Sequence, residues 1–437
     1  MLRLFYTLVM YFALPILLLR LGVRGLRYGD YHRRWHERFG FFRAPGFRGS
    51  LWLHAVSLGE VNAAEPLIRA MMQRYPQRPM VVTTGTPTGS DRVRQLFGKE
   101  VFHVYLPFDL PLSVHRFLRR IRPCLGVIVE TEIWPNLYHA CHDRHIPLII
   151  ANARLSRRSL RGYVPVQVLL KSALGCVTHV AAQSRLDAAR YRLLGARGTH
   201  VNVVGNLKFD MPVKAGLAAK GAELRAAWGA RRPVWMAAST HESEEQQVLQ
   251  AHLVVLKHLP DALLLLAPRH PERFIAVEQM VRSQGFRSAG RKADGLPEAS
   301  TQCFLIDAMG ELLPFYAATD VAFVGGSLAR IGGHNVLEPA ALAKPVLVGP
   351  NTFNFEGITE TLVKRGAALR VHSAEELGAK VLALLRDSAR RQRMGEAARQ
   401  AFERERGAVG RVMTLVENVL ADSDKLACKT TDAARLS

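Results

Sequence analysis

The stretch Val324-Gly-Gly-Ser-Leu-Ala-Arg-Ile-Gly-Gly-His-Asn-Val-Leu-Glu-Pro-Ala340 decides the fold class of this chain. It follows an apolar run, 320–324, that is typical of a buried parallel strand, and it leads into a helical pattern that opens at Asn335. Glycines between a strand and a helix let backbone N–H groups approach a phosphate at the positive end of the helix. Glu338, one turn into that helix, is placed to accept hydrogen bonds from ribose hydroxyls. An ordinary glycine-rich turn of an α/β protein also fits, but four glycines with an Asn and a Glu favour nucleotide binding.

Around this stretch the chain alternates strands and helices in two halves. In the first half, seven strands are predicted, at 51–56, 80–84, 101–105, 125–129, 147–151, 179–182 and 201–204. Five more follow in the second half, at 233–238, 262–267, 303–306, 321–324 and 345–348. Near-continuous apolar strands separated by helices indicate parallel sheets covered on both faces. We therefore predict an α/β protein of two doubly wound, Rossmann-like domains, with the ligand in the cleft between them.

The domain boundaries follow from composition. A chain of 437 residues is long enough for two domains of about 200 residues each. The predicted segments are an N-terminal membrane anchor at 1–23, a first domain at 24–205, a linker at 206–212, a second domain at 213–421 and a disordered tail at 422–437. The linker carries Gly and Pro without a clear period, and the tail is polar.

The N-terminus departs from the pattern of a soluble protein. Residues 4–19 carry no charge and are bounded by Arg3 and Arg20. A spanning helix takes about 20 apolar residues, so this segment spans only if Arg20 snorkels. A cleaved signal peptide, a short anchor and a monotopic helix are the alternatives, and no small-residue cleavage site follows. Arginines 20, 24, 27, 33, 34 and 38 keep the downstream protein cytoplasmic by the positive-inside rule. We expect an uncleaved anchor that either spans the membrane or lies in it.

The charge and the cysteines narrow the class of protein. A formal net charge of +22 favours anionic partners, which are nucleic acid, phosphorylated substrates or an anionic membrane surface. The arginine clusters are scattered without a zinc-finger, RRM or helix-turn-helix signature, so we expect no nucleic acid partner. Five cysteines without a CxxC pair indicate thiols in a reducing compartment. No carboxylate or histidine cluster has the spacing of a metal site.

Candidate catalytic residues stand at strand ends of the first half. Glu60 follows the first strand and begins a helix, where it is either a general base for a sugar hydroxyl or a charge that complements the helix dipole. His54 lies within that strand and is more typical of a core histidine. Glu130 and Glu132 follow another strand, and Lys208 lies in the linker near the predicted cleft. The residues alone assign Glu130 no role, because pairing with an arginine also explains it.

The second half offers candidate nucleotide contacts. Arg269 directly follows an apolar strand and either pairs with a phosphate, stacks on a base or caps the strand end with a surface charge. Met309 and Gly310 leave another strand end, where their backbone could contact a nucleobase edge. An acidic helix start explains Glu311 nearly as well. The segment 239–245 is typical of a helix start, with a hydroxyl cap followed by acidic residues.

Six stretches together match one family. They are His54-Ala-Val-Ser-Leu-Gly-Glu60, Glu130-Thr-Glu-Ile-Trp-Pro-Asn136, Asn152-Ala-Arg-Leu-Ser-Arg-Arg-Ser-Leu-Arg-Gly-Tyr163, Gly205-Asn-Leu-Lys-Phe-Asp210, Pro268-Arg-His-Pro-Glu-Arg273 and Gly332-Gly-His-Asn-Val-Leu-Glu-Pro-Ala340. With them the chain resembles the 3-deoxy-D-manno-octulosonic acid (Kdo) transferases, which build the inner core of lipopolysaccharide. The match runs from the N-terminal anchor to about residue 420.

The resemblance implies a GT-B fold, with the acceptor on the N-terminal half and CMP-Kdo on the C-terminal half. It implies that Glu60 is the general base of an inverting transfer and that Glu130 and Lys208 stabilise the transition state. The CMP-binding residues that it implies are Pro268, Arg269, Met309, Gly310, Glu311, Asn335, Val336, Leu337 and Glu338. Arg157 stands where an acidic residue is expected, which leaves the detail of acceptor contact open.

The same resemblance implies the partners. The donor is CMP-Kdo, and the acceptor is lipid IVA, an anionic lipid A precursor in the inner membrane, with the catalytic body on the cytoplasmic side. Arginine, lysine and helix N-termini can neutralise a departing CMP, so we expect neither a metal nor a cofactor. The number of Kdo residues added stays open. The alternatives are a GT-B transferase or epimerase that uses a UDP-sugar, and a non-enzymatic protein that binds a membrane surface or nucleic acid through charge alone.

Overall fold

The computed structural model describes residues 1–27, 33–213 and 215–435. The chain forms two compact units, Met1–Met211 with Arg406–Ser437 and Pro212–Glu405. Each unit is built on its own seven-stranded parallel sheet with helices on both faces. The predicted α/β class with two doubly wound domains is therefore confirmed.

The first unit has the strand order β3-β2-β1-β4-β5-β6-β7. Its strands are β1 Ser50–His54, β2 Met80–Thr84, β3 Phe102–Tyr105, β4 Pro123–Val129, β5 Leu148–Ala153, β6 His179–Ala182 and β7 Val201–Val203. Its helices are α1 Leu2–Arg27, α2 Leu58–Arg74, α3 Pro87–Phe97, α4 Pro111–Ile121, α5 Pro135–His142, α6 Arg157–Tyr163, α7 Gln167–Leu174, α8 Arg185–Leu194 and α18 Ala408–Arg435.

The second unit has the strand order β10-β11-β9-β8-β12-β13-β14. Its strands are β8 Val234–Thr240, β9 Leu263–Pro268, β10 Ser288–Gly290, β11 Cys303–Leu305, β12 Val321–Val324, β13 Val346–Val348 and β14 Ala368–Arg370. Its helices are α9 Leu217–Trp228, α10 Glu244–Leu256, α11 Phe274–Ser283, α12 Arg291–Asp294, α13 Leu312–Ala318, α14 Leu337–Ala341, α15 Glu356–Lys364, α16 Ala374–Arg386 and α17 Ser388–Glu405.

The central strands of both sheets are buried because most of their side chains are apolar on both faces. The central strand β1 is fully buried, and Trp52 packs on Phe117 of α4 with ring centroids 5.3 Å apart. In the second unit, β8 and β12 lie side by side in the core, and Trp235 is fully buried. The edge strands β10 (Ser-Ala-Gly) and β14 (Ala-Leu-Arg) are mostly only partly buried and lack a run of large apolar residues, and the sequence-based prediction missed both.

The C-terminal helix belongs to a different unit from the predicted one. The sequence-based boundary puts residues 406–421 in the second domain, whereas the structure places them in the first unit. The apolar face of α18, including Val412, Val416 and Leu420, joins the core that α2 covers. The predicted disordered tail begins inside this helix, which continues to Arg435; residues 436 and 437 lie outside the described residues.

Candidate active site

Glu60 is held where strand β1 turns into helix α2. Ser57 is the N-cap of α2, and its hydroxyl accepts a hydrogen bond from the Glu60 backbone N–H at 3.4 Å. One carboxylate oxygen, Oε2, accepts the Val56 N–H at 2.5 Å. Burial raises the pKa of this carboxyl from 4.5 to about 8, and the nearby Glu130 carboxylate adds to the rise. Glu60 therefore accepts a free backbone N–H beside the helix start, and its raised pKa makes its ionised form a stronger base than an exposed carboxylate.

Glu130 occupies a strained position at the end of β4. Its backbone has φ 62°, in the left-handed region that a residue with a Cβ adopts at a cost of about 1–3 kcal/mol. Asn152, at the end of the neighbouring β5, has φ 54°, and its Oδ1 accepts the Leu207 N–H at 3.0 Å. Backbone strain of this kind is concentrated at functional sites, which supports a role for both strand ends.

Lys208 lies on a 3₁₀ turn, Leu207–Asp210, that follows the last strand of the first unit. Asn206 caps this turn by accepting the Lys208 N–H at 3.0 Å. Burial lowers the pKa of the Lys208 ammonium, while the Glu130 carboxylate, and to a smaller degree Glu60, raise it. The structure thus brings the three predicted catalytic residues together in one unit.

The last residue of this turn ties it to helix α18. The Asp210 carboxylate accepts the backbone N–H groups of Gly407 and Val409, both at 2.6 Å. A carboxylate at the beginning of a helix satisfies free N–H groups and complements the helix dipole. The turn that carries Lys208 is therefore fixed by a segment that lies about 200 residues away in the sequence.

Glu132, for which the sequence predicted no role, is a further carboxylate of this cluster. It accepts the Trp134 indole N–H at 3.0 Å. Burial raises its pKa to about 7, and the Glu130 charge raises it as well. His54, by contrast, is buried with Nδ1 2.9 Å from the Thr83 hydroxyl, and burial lowers its pKa to about 4. His54 is a neutral core histidine, as the sequence indicated.

The glycine-rich loop after β12 holds an anion that the sequence analysis did not anticipate. The fully buried carboxylate of Glu244 accepts the backbone N–H groups of Gly326, Ser327, Leu328 and Ala329, at 2.6–3.1 Å, and that of His241 at 3.0 Å. Four loop amides that were expected to approach a phosphate are therefore occupied by a side chain. Segment 239–245 is also not capped as expected, because Ser243 at the N-cap has φ 72° and no side-chain cap.

The glycines of this loop serve close packing. A Cβ at Gly325 would lie 2.6 Å from the carbonyl oxygen of Ser239 on β8, and Gly326 has φ 66°. A side chain at either position would displace the loop from the Glu244 carboxylate. The expected phosphate cradle at 325–329 is thus a structural joint between β12 and α10.

Beyond this joint, the predicted CMP-binding residues cluster around Glu338. Asn335 donates its side-chain N–H to Glu338 Oε1 at 3.0 Å and accepts the Leu337 N–H at 3.1 Å. Burial raises the pKa of Glu338, and the Asn335 hydrogen bond and the Arg269 charge oppose that rise. The guanidinium of Arg269, which follows β9, therefore lies close to this carboxylate.

The other predicted CMP residues differ in what they can offer a ligand. Val336 and Leu337 are buried, as is Pro268 at the end of β9, so only their backbones can contact a ligand. Met309 is exposed, and Gly310 with φ 83° precedes the start of α13. Glu311 forms an ion pair with Arg291 at 2.8 Å, so its carboxylate has a protein partner.

Three histidines beside Arg269 were missed by the sequence analysis. The rings of His241 and His334 stack with an interplanar angle of 3°, and their Nε2 atoms are 2.7 Å apart. His270 meets His241 edge-on, with ring centroids 5.1 Å apart. Burial and neighbouring cations lower the pKa of both His241 and His334. Across the described ranges, no group of three His, Cys, Asp or Glu side chains could hold a metal ion.

Two α/β units, each built on a parallel sheet with polar clusters at its strand ends, define a GT-B-type protein, and solved structures share this fold. A UDP-N-acetylglucosamine 2-epimerase from Neisseria meningitidis has a TM-score of 0.57, with 14% identity over 84% of this chain and 100% of that one. A putative UDP-N-acetylglucosamine 2-epimerase from Listeria monocytogenes has a TM-score of 0.56, with 14% identity over 86% of this chain and 98% of that one. At this identity the likeness shows the fold alone.

Sequence relatives identify the family. Residues 33–211 match the family model of 3-deoxy-D-manno-octulosonic-acid transferase (Kdo transferase). A 3-deoxy-D-manno-octulosonic acid transferase from Haemophilus influenzae is 42% identical over 422 residues, 96% of this chain and 99% of the relative. One from Bordetella pertussis is 37% identical over 431 residues, 95% of this chain and 99% of the relative. The chain belongs to the family of Kdo transferases, which are glycosyltransferases.

Proposed function

We propose that the protein transfers Kdo from CMP-Kdo to lipid IVA, with inversion at the anomeric carbon. The observation that carries this proposal is the buried cluster of the first unit, in which Glu60 has a pKa of about 8 beside Glu130 and Lys208. When ionised, a carboxylate with this pKa takes a proton from a sugar hydroxyl far better than an exposed carboxylate whose pKa has its ordinary value. The family membership supplies the sugar that is transferred.

In the proposed reaction, Glu60 removes the proton from an acceptor hydroxyl as that oxygen bonds to the anomeric carbon of Kdo. The bond between this carbon and the CMP phosphate oxygen breaks, and CMP leaves with the electron pair. Lys208 and Glu130 stabilise the transition state. The proton stays on Glu60 until solvent removes it, so the step needs no oxidant and no reactant other than CMP-Kdo and the acceptor.

The second unit is proposed to bind CMP. Arg269 neutralises the phosphate, and Glu338 accepts hydrogen bonds from the ribose hydroxyls in the orientation that Asn335 fixes. The exposed side chain of Met309 and the backbone of Gly310 contact the base. Because cationic side chains hold the leaving group, the proposal includes no metal and no cofactor.

The acceptor assignment is supported by charge and by the N-terminus. Helix α1 is long and apolar enough to cross a membrane, and a net charge of +22 attracts a bisphosphorylated lipid and an anionic bilayer. We therefore propose that the protein is held at the cytoplasmic face of the inner membrane.

The test is a transfer reaction with purified protein, lipid IVA and CMP-Kdo generated in place, read by product mass. We expect mass gains in whole Kdo units, whose number counts the residues added. Glu60→Gln keeps the acceptor of the Val56 N–H and should lose turnover by about 10²–10⁴-fold. CMP should protect both proteins against thermal unfolding, and UDP should not. Near-normal turnover of Glu60→Gln would refute the base, and absence of any mass gain from folded wild type would refute the substrates.

A further inference from the structure

Helix α1 has two sides with different surroundings. One stripe is only partly exposed along almost the whole helix, and it includes Arg3, Tyr6, Met10, Leu14, Leu17 and Leu21. These positions recur every three or four residues, so they lie on one face. The opposite face is apolar and exposed, with Phe5 at 67%, Phe12 at 80%, Ile16 at 69%, Leu19 at 68%, Val23 at 51% and Leu26 at 84%. The helix therefore lies lengthwise on the protein surface.

The first two turns of α1 are fixed to the first unit by side-chain hydrogen bonds. The Tyr6 hydroxyl donates to Asp109 Oδ2 at 2.9 Å. Arg3 Nε and the Thr7 hydroxyl reach the Asn136 side-chain oxygen at 3.2 and 3.1 Å. Asp109 is 2% exposed and also accepts the Asn136 backbone N–H at the start of α5. The docking point is thus part of the core of the unit.

The chain is fixed to the same unit again soon after the helix ends. Arg34, seven residues beyond Arg27, donates from Nη2 to the His103 carbonyl at 2.9 Å. The buried carboxylate of Glu37 accepts the Tyr105 N–H at 3.0 Å. Both contacts lie on β3, so the chain is attached to one folded unit within the first turns of α1 and again seven residues after the helix ends.

These two attachments are incompatible with a single crossing. From Tyr6 to Arg27 the helix rises about 30 Å, which is the thickness of the hydrocarbon core of a bilayer. A helix that crosses once puts its ends on opposite faces of the membrane. The first unit lies on one face, and therefore it can hold Tyr6 and Arg34 together only when the helix stays on that face.

We propose that α1 is an interfacial helix that lies in the plane of an anionic bilayer and does not span it. The inference deepens the proposed membrane-bound function, on which it rests. The exposed stripe enters the bilayer to a depth of about 5–10 Å, as amphipathic interfacial helices do. Exposed Arg20 and Arg24 meet lipid phosphates at the end of the apolar stripe. The partly exposed stripe keeps the first unit against the membrane surface.

The first test determines on which side of the membrane the N-terminus lies. A cysteine is carried on a short polar extension before Met1, and a second variant, Lys99→Cys, reports the exposed surface of the first unit. Cys124, Cys176 and Cys428 are replaced by alanine; Cys141 and Cys303 are buried and stay. A membrane-impermeant maleimide should label both reporters in inside-out inner-membrane vesicles and neither in spheroplasts. Labelling of the two reporters on opposite faces overturns the proposal, as does recovery of the protein away from the membrane.

The second test measures depth in phosphatidylethanolamine–phosphatidylglycerol vesicles with nitroxides at Phe5→Cys, Phe12→Cys and Val23→Cys. An in-plane helix places all three at one shallow depth of about 5–10 Å. A spanning helix places Phe12→Cys much deeper than the other two, which overturns the proposal. Met10→Cys, on the partly exposed stripe, is the matched control, and its nitroxide should be less accessible to dissolved oxygen. Neither test uses a sugar substrate, so a failure of Kdo transfer leaves both results interpretable.

Discussion

The pH dependence of transfer should follow the buried carboxylate of Glu60. Burial, aided by Glu130, raises the pKa of Glu60 to about 8, and a base acts only when ionised. With that pKa, only about a tenth of the free enzyme carries the ionised base at pH 7. We expect kcat/KM to rise about tenfold from pH 7 to its plateau. In Glu130→Gln the rising limb should move to lower pH, because the neighbouring charge is gone.

The same pKa makes a prediction about stability. The pKa of Glu60 is raised above its ordinary value of 4.5, so the folded protein keeps a proton that the unfolded chain releases. Between pH 4.5 and about 8, this carboxyl lowers the free energy of unfolding by about 1.4 kcal/mol per pH unit, on the order of 5 kcal/mol in all. Glu60→Gln removes the effect, and therefore the variant should match wild type near pH 4.5 and exceed its stability near pH 8.5.

The assay combines product mass for kcat/KM with urea unfolding, each from pH 5 to 9, on wild type and Glu60→Gln. Glu100→Gln, at an exposed position of the first unit, is the control and should leave both profiles unchanged. A rising limb near pH 5 in wild type would refute the raised pKa. Equal stability slopes for wild type and Glu60→Gln would show that the carboxyl is not desolvated in the folded state.

Three further changes test the supports of the site. In Glu244→Gln, the amide nitrogen faces backbone donors of the glycine-rich loop, so we expect the free energy of unfolding to fall by about 2–4 kcal/mol and hydrogen exchange in the loop to become faster. The control, exposed Glu242→Gln, should show neither change. Asn335→Ala should weaken CMP binding about tenfold by calorimetry and lower the free energy of unfolding by about 1 kcal/mol, because two side-chain hydrogen bonds are lost. Asp210→Ala should cost about 1–2 kcal/mol and slow transfer by displacing the lysine turn, whereas Asp387→Ala, at the start of α17, should lower stability without slowing transfer.

The fold could be predicted wherever a strand formed a continuous apolar run. Residues 80–84 and 321–324 were predicted with the bounds that β2 and β12 have. The return of α18 to the first unit could not be predicted, because an apolar helical face looks the same whichever sheet it covers. Its partner is fixed by contacts distant in the sequence, including those that Asp210 makes with the start of this helix.

The glycine-rich loop shows that a local sequence pattern can predict a backbone arrangement correctly without identifying the anion that it binds. The pattern predicted backbone N–H groups gathered around an anion, and the structure has that arrangement, with the Glu244 carboxylate as the anion. Glu244 and the loop residues that it contacts are more than 80 positions apart in the sequence, so no local pattern could have predicted their contact. Because these amides are occupied, the proposed function requires other groups of the second unit to neutralise the donor phosphate. Arg269 is the predicted group that remains, and Arg269→Lys should therefore weaken CMP binding, measured by calorimetry, because a lysine cannot pair with a phosphate in the bidentate geometry of a guanidinium.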